Sequence, residues 1–345
     1  MITANKGEWS EFYVFLKLLI EKGFCGVDSN LDKIPGLFFS IIQIHGNGGD
    51  HIYELSDKEK IVITSADNAK LIDNSIIKDK LDSILNTIIN TKERTFAIPE
   101  AEKLMTEILC SKIKSSSSEK GDIKLVFEEP KTKQILTDYF SIKSFLAGKP
   151  TLLNASTHTV FTYDVKNLSL EQIEEINHMF NSLGSIDLTK RIEKIYEYGG
   201  RLEFHNIVSD TMEKNLKKID SLFPIEIARI LKDSYIHKTK KIMDLIKDSE
   251  VEDIYRKVGE FLEATLKGMM PGIEWDLLNI ANGLILVING GELVGFHLCN
   301  KRELIEYLVK DSYLDTPSTS RHKIGKIYSS QGEHLLNLSL QIRLS

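Results

Sequence analysis

Apolar and polar positions alternate from Asp122 to Phe127, with Ile123, Leu125 and Phe127 on one side and Asp122, Lys124 and Val126 on the other. A period of two predicts a half-buried strand. Glu128 to Lys133 holds Pro130 among charged residues, which suits a turn or strand edge and not a central ladder, and Glu128 and Glu129 in it are read as solvated. The chain returns as Gln134 to Ser144, where Phe140 and Ile142 face one way and Ser141 and Lys143 the other. Antiparallel pairing about Lys131 and Thr132 places Asp122 opposite Ser141, with Asp122 and Lys143 on one face. Diagonal neighbours of this kind lie roughly 7–8 Å apart.

Elsewhere Phe12, Phe15, Leu16 and Leu19 form a helical stripe that Gly23 should end, with Glu8, Trp9, Ser10 and Glu11 in the first turn. The helix dipole alone favours both glutamates there. Residues 25–110 carry an Asn-, Asp- and Gly-rich loop region, including HGNGGDH at 45–51, and then a polar helical pattern from Asn68 to Ile113. His45, Asp50 and His51 lie in that glycine-rich turn and are read as loop, not as metal ligands. KSSSSEKG at 114–121 leads flexibly into the first strand of the hairpin. Leu168–Tyr198 and Met212–Leu266 have helical spacing, the second broken at Pro224, and Leu284–Val294 predicts a hairpin around Asn289-Gly290-Gly291.

With 345 residues, 42% of them hydrophobic, the chain can bury one large core or two smaller ones. A net charge of −6 gives no overall basic field, as a nonspecific nucleic-acid binder would have. The local excess from Lys214 to Lys247, nine Lys and Arg against four Asp and Glu, is either a solvated helix face or a set of phosphate contacts. Cys25, Cys110 and Cys299 match no zinc or redox spacing. With no export signal and no apolar stretch long enough to span a bilayer, the expected location is cytoplasmic, without membrane association.

A strand carboxylate can hold Mg²⁺ together with substrate phosphate and water, and a neighbouring lysine can orient the attacking water. On the hairpin alone, a turn Asp and a solvated Lys explain the same residues. The wider chain contains NKGEWSE at 5–11, EKGDIKLVF at 119–127, YFSIKS at 139–144, PTLLNAS at 150–156, EWDLLNIANGLILVINGGELVGFH at 274–297, and STSRHKIGKIY and LNLSLQIRL near the end. This ordered set resembles the HpaII family of type II restriction endonucleases, within the PD-(D/E)XK nuclease superfamily.

The resemblance implies an α/β (α+β) restriction-endonuclease-like core, a mixed sheet flanked by helices, with helical and β insertions for DNA binding. The expected division is a nuclease core over 1–205, with an inserted region at 25–113, and a recognition part over 206–345. It implies Mg²⁺-dependent hydrolysis of double-stranded DNA at a short palindrome, CCGG being the candidate, to 5′-phosphate and 3′-hydroxyl ends. Mn²⁺ should substitute for Mg²⁺. A homodimer and a cognate DNA methyltransferase acting on the same site are expected as well. Asp122 and Lys143 take the superfamily's catalytic positions. Ser141 stands where the motif usually has Glu or Asp, so the metal set becomes Asp122, the Ile142 backbone carbonyl and Glu11, with Glu8 as second choice. Arg321, His322 and Lys323 in a donor-rich loop, with Asn154, Ser156, Ser144 and Arg343, are the candidate DNA contacts. Phosphate clamping for Arg321, a salt bridge for Arg343 and turn capping for Asn154 are the alternatives. A repair or recombination nuclease of the same superfamily, or a catalytically silent DNA-binding protein, remains open at this point.

Overall fold

In the computed structural model, which describes residues 2–46, 51–56, 59–65, 68–113, 121–180, 185–278 and 280–345, the first helix forms where the sequence stripe places it. This helix, α1 (Lys6–Glu21), starts from an Asn5 cap. Its end differs from expectation. Lys22 takes the left-handed cap conformation (φ 54°), whereas Gly23 opens the next strand, because a side chain there would run into Phe38 and the Phe39 carbonyl. Trp9, Phe12, Tyr13, Phe15, Leu16, Leu18 and Leu19 are buried, each large apolar side chain contributing roughly 1.5–3 kcal/mol.

The chain groups into two compact units, Met1–Pro150 with Leu266–Gly268 and Asn279–Tyr307, and Thr151–Thr265 with Met269–Leu278 and Leu308–Ser345. These units are discontinuous in sequence, unlike the expected division at residue 205, which stays a proposal about the sharing of tasks.

In the first unit the strands of the main sheet are β1 (Gly23–Val27), β2 (Lys33–His45), β3 (Ile52–Leu55), β4 (Lys60–Thr64), β5 (Ala69–Asp73), β6 (Ile123–Glu128), β7 (Ile135–Ser144), β8 (Gly283–Val287) and β9 (Leu293–Phe296). They lie in the order β1-β9-β8-β7-β6-β2-β3-β4-β5, and β1 also pairs with β2, which closes a ring of six strands. Phe24, Phe39, Phe127 and Phe140 pack against one another within it. Gly283 and Gly295 lie under the Phe140 and Phe24 rings, where a Cβ would collide, so glycine permits that close approach.

The face of β6 and β7 carrying Ile123, Leu125, Phe127, Phe140 and Ile142 shares one core with α1, α2 (Ser75–Asn90) and α3 (Pro99–Glu107). The sheet is mixed, since β7 and β8 run parallel while β6, β7 and β2 are antiparallel. The β8–β9 hairpin turns at Asn289–Gly291 as expected, with Gly290 and Gly291 both at positive φ. Most of the loop expectation between residues 25 and 67 is overturned. Residues 33–45, rich in Ile and Phe, form the long β2, and residues 52–55 and 60–64 form two further strands. Ala69–Asp73, expected as helical, pairs with β4, and the helix begins at Ser75. Asn47–Asp50 and Lys114–Lys120 lie outside the described residues.

The second unit holds a four-stranded antiparallel sheet (201–207, 160–166, 333–339, 327–330) and a three-stranded one (151–153, 342–344, 312–314). Its helices are α4 (Leu170–Asn177), α5 (Leu188–Glu197), α6 (Asp210–Lys217), α7 (Phe223–Ile236), α8 (Ile242–Ile246) and α9 (Ile254–Leu266), whose last residue belongs to the first unit. The expected break at Pro224 is the start of α7, where a missing N–H costs nothing. Lys301–Asp311 forms α10. No helix among the described residues is long and apolar enough to cross a membrane.

Candidate active site

β6 and β7 pair in the expected register, from Ile123 opposite Phe140 to Glu128 opposite Ile135. One step beyond the last rung, Asp122 N–H donates to the Phe140 carbonyl (3.0 Å) and the Asp122 Oδ2 accepts the Ile142 N–H (2.6 Å). The carboxylate therefore takes the place of a ladder acceptor and is fixed at the end of β6. Tyr139 C=O and Phe145 N–H bond toward β8 and its flanking residue Asn282. Along a strand the backbone groups alternate in direction, so Ile142 presents its N–H and its carbonyl to the β6 side, beside Asp122.

Lys143 lies two residues from Ser141 on the same face, half-buried, with no ion-pair partner among the described residues. Ser141 is buried, and its Oγ donates to the Leu266 carbonyl at the end of α9 (3.0 Å). At the position where the resemblance leads one to expect a Glu or Asp, this chain thus has a hydroxyl tied to backbone. Ser144 Oγ accepts the Leu146 N–H (3.2 Å), so it shapes the turn that ends β7.

The two glutamates of α1 differ. Glu8 closes a capping box, its Oε2 accepting Asn5 N–H (2.9 Å) while Asn5 Oδ1 accepts Glu8 N–H (3.0 Å). Its carboxylate thereby serves the helix start. Glu11 is half-buried on the same helix. α1 packs on the face opposite Lys143.

Glu128 and Glu129, read from sequence as solvated turn residues, are not both so. Glu128 pairs with Lys133 (2.9 Å) on the surface, whereas Glu129 is buried. Glu129 Oε2 accepts from Lys131 N (3.1 Å), Thr132 N (2.6 Å) and Thr132 Oγ1 (2.7 Å). Burial alone would raise its carboxyl, but these bonds prevail and hold it down at about 2.

Sequence reasoning missed a buried network directly upstream of Ser141. Asp138 Oδ2 meets His297 Nε2 at 3.0 Å, and Asp138 Oδ1 accepts Asn282 Nδ2 at 2.6 Å. His297 is 1% exposed and stacks on Phe140 with ring centroids 5.6 Å apart. Its Nδ1 has no hydrogen-bond partner among the described residues, and Nε2, facing a carboxylate oxygen, is the donor of that bond. Burial pushes the Asp138 carboxyl up, but the bonds from His297 and Asn282, with the nearby charge of Lys267, hold it below the usual range. His297 is accordingly a packed, hydrogen-bonded histidine. Asp138 carried no signal, being one polar residue in an alternating strand.

The remaining candidate DNA contacts lie in the second unit. Arg321, His322 and Lys323 are exposed, and the His322 carbonyl accepts Asn337 Nδ2 (3.0 Å), which pins the loop. Lys323 Nζ sits over the Tyr328 ring at 4.3 Å, while Arg321 has no side-chain partner among the described residues. Arg343 Nε donates to Asp315 (2.7 Å), the salt bridge weighed as its alternative. Asn154 is exposed, and capping at this corner is done by Ser156, which accepts from His158 N–H. Within the basic stretch, Lys217, Lys218, Arg229 and Lys238 pair with Glu213, Glu274, Asp233 and Glu193, which favours the solvated-face reading.

Among the described residues no three His, Cys, Asp or Glu side chains gather as a metal site. Cys25, Cys110 and Cys299 are free thiols. Comparison with known proteins places this geometry in context. The family model described as HpaII restriction endonuclease matches residues 5–344. The chain is 32% identical to the "Type II restriction enzyme HpaII" of Haemophilus parainfluenzae over 358 aligned positions, covering 99% of this chain and 98% of that protein. No solved structure is significantly similar to it.

Proposed function

From the premise that this chain belongs to the HpaII restriction endonuclease family and is a site-specific deoxyribonuclease, we propose that Asp122 and Lys143 are the core of its active site. The observation that carries this reading is the fixed carboxylate of Asp122 at the end of β6, in register with a strand whose Lys143 has no ion-pair partner among the described residues. The mixed sheet flanked by helices, with the Asp and Lys strands adjacent at its centre, supports a PD-(D/E)XK core.

The donor set suits Mg²⁺, which accepts one or two carboxylates completed by phosphate and water and does not need a three-carboxylate cage. Asp122, the Ile142 carbonyl and Glu11 would hold it, Mn²⁺ serving in its place. When bound, such an ion supplies charge stabilisation at the scissile phosphate and lowers the pKa of water. The residues of the chain do the rest. The Ile142 N–H fixes the rotamer of Asp122, Lys143 holds and orients the attacking water, and its charge offsets the charge gathered on phosphate oxygens in the transition state. Ser141 joins β7 to the end of α9, and so positions Lys143 without acting on substrate.

The substrate in this reading is double-stranded DNA at a short palindrome, with CCGG as the candidate and 5′-phosphate and 3′-hydroxyl ends as products. Arg321, His322 and Lys323 are the proposed readers of the second unit, as part of the recognition region 206–345. A homodimer in the cytoplasm, one subunit per strand, and a methyltransferase protecting the same site complete the proposal. The test is digestion of sequence-diverse plasmid DNA with Mg²⁺, followed by sequencing of fragment ends. Discrete ends in one short palindrome, lost in Asp122→Ala and Lys143→Ala, support it. Binding without cleavage across metals and methylation states would move the protein to a silent DNA binder, and cleavage only at junctions to a repair nuclease.

A further inference from the structure

A row of three side chains crosses the sheet next to the active site. Strand register sets His45 of β2 opposite Lys124 of β6, and Lys124 opposite Tyr139 of β7. Opposed residues share a face, and alternation puts this row on the face of Ser141 and Lys143. Lys124 is two residues from Asp122 along β6, while Lys143 lies two residues from Ser141 in the opposite direction. With about 3.3 Å of rise per residue, Lys124 lies roughly 6.6 Å along the strand from Asp122, and Lys143, the diagonal neighbour on β7, roughly 7–8 Å away on the other side.

Lys124 is built into this place. Its Nζ lies 5.6 Å from the centroid of the Tyr139 ring. That ring is seated against the backbone of Gly121, where an added Cβ would come within 2.7 Å of the Tyr139 Cβ, so the support of Lys124 is tied to the residue before Asp122. Many lysines of this acidic chain pair with carboxylates, among them Lys17, Lys78, Lys80 and Lys133. Lys124, half-buried, has no carboxylate partner among the described residues. Burial, followed by the charge of Lys124, holds the His45 imidazole below its usual range, which favours the uncharged ring.

We propose that Lys124, supported by Tyr139 and flanked by His45, binds a backbone phosphate of the DNA strand next to the scissile one. The face of β2, β6 and β7 is thereby a short backbone track leading to Asp122. Charge complementarity selects the occupant, because an unpaired ammonium over an aromatic ring, in line with a catalytic carboxylate, suits the phosphate of the same strand. This inference rests on the nuclease reading above, and sequence reasoning assigned His45 only to a glycine-rich loop.

Binding of a CCGG-containing duplex and of an unrelated duplex is measured in EDTA, so that DNA stays intact, over a range of salt concentrations. Lys124→Ala should weaken binding to both duplexes alike and reduce the slope of log K against log salt by about 0.9. Lys124→Arg should restore the slope. A purely structural role would leave the slope unchanged, and an unchanged slope overturns the proposal, as would weakening confined to one duplex. Lys124→Gln keeps the side-chain stem and gives the same readout if the alanine variant does not fold. Failure of the parent protein to bind or cut any duplex defeats the nuclease reading itself, whereas a parent that binds with a slope indifferent to Lys124 defeats only the phosphate contact.

Discussion

The Asp122 carboxylate accepts the Ile142 backbone N–H at 2.6 Å, one step past the last rung between β6 and β7. A side chain thus finishes the ladder, and in the proposed active site the same bond would orient the carboxylate toward the reacting phosphodiester. Replacing Asp122 by Asn keeps an oxygen able to accept that N–H but removes the charge. The expected outcome is a loss of at least about a hundredfold in single-turnover cleavage, with a melting temperature close to the parent's. Cleavage at the parental rate would remove Asp122 from the mechanism.

Ser141 is the residue on which structure and motif differ. Its hydroxyl bonds the Leu266 carbonyl, so Ser141→Ala should cost about 0.5–1.5 kcal/mol in urea unfolding while retaining most of the cleavage rate. Abolished cleavage in a stably folded Ser141→Ala protein would assign the hydroxyl to the chemistry.

Glu129 makes the hairpin turn sensitive to acid. Its carboxyl is held at about 2 in the folded protein and rises toward its ordinary value of about 4.5 on unfolding. The unfolded chain therefore takes up the proton first. The stabilisation is fully present above pH 4.5 and is lost as the pH falls through 2. Glu129→Gln should be less stable than the parent by about 1–3 kcal/mol at pH 7, with the gap narrowing between pH 4.5 and 2. Urea midpoints at several pH values give this directly, and a gap independent of pH would show that the charge on Glu129 is immaterial.

The Asp138–His297 pair predicts a different pattern. Asp138→Ala strands a histidine that is 1% exposed, at an expected cost of about 1–3 kcal/mol. Asp138→Asn, which can still accept a hydrogen bond from His297, should lose less. Because Asp138 is on β7 three residues before Ser141, cleavage should fall in the order of the stability losses. Unfolding curves and cleavage rates for the two variants, measured side by side, check both orders.

How far the site was legible depends on the range of the interactions behind it. Alternation in 122–127 and 134–144 gave the hairpin, its register and its two faces, because every second side chain must choose between core and solvent. The turn at Asn289–Gly291 was equally local, needing positive φ at two glycines. By contrast, the strands between residues 33 and 73 looked like loop and helix, since their turn signals are dense and their pairing partners lie in other parts of the chain. Glu129 looked solvated because nothing in a charged hexapeptide says that its own backbone will bond the carboxylate.

Alone, the sequence determined the central hairpin, its Asp and Lys, the first helix and a family resemblance, all of which rest on short-range periodicity or on motif identity. Only the tertiary structure decided that the Ser141 hydroxyl bonds the end of a helix 125 residues away, that Asp138 meets His297, and that His45, Lys124 and Tyr139 form one row. Those contacts depend on which strands become neighbours, and that choice is made by burial of the whole core. The order of residues along any one segment does not contain it.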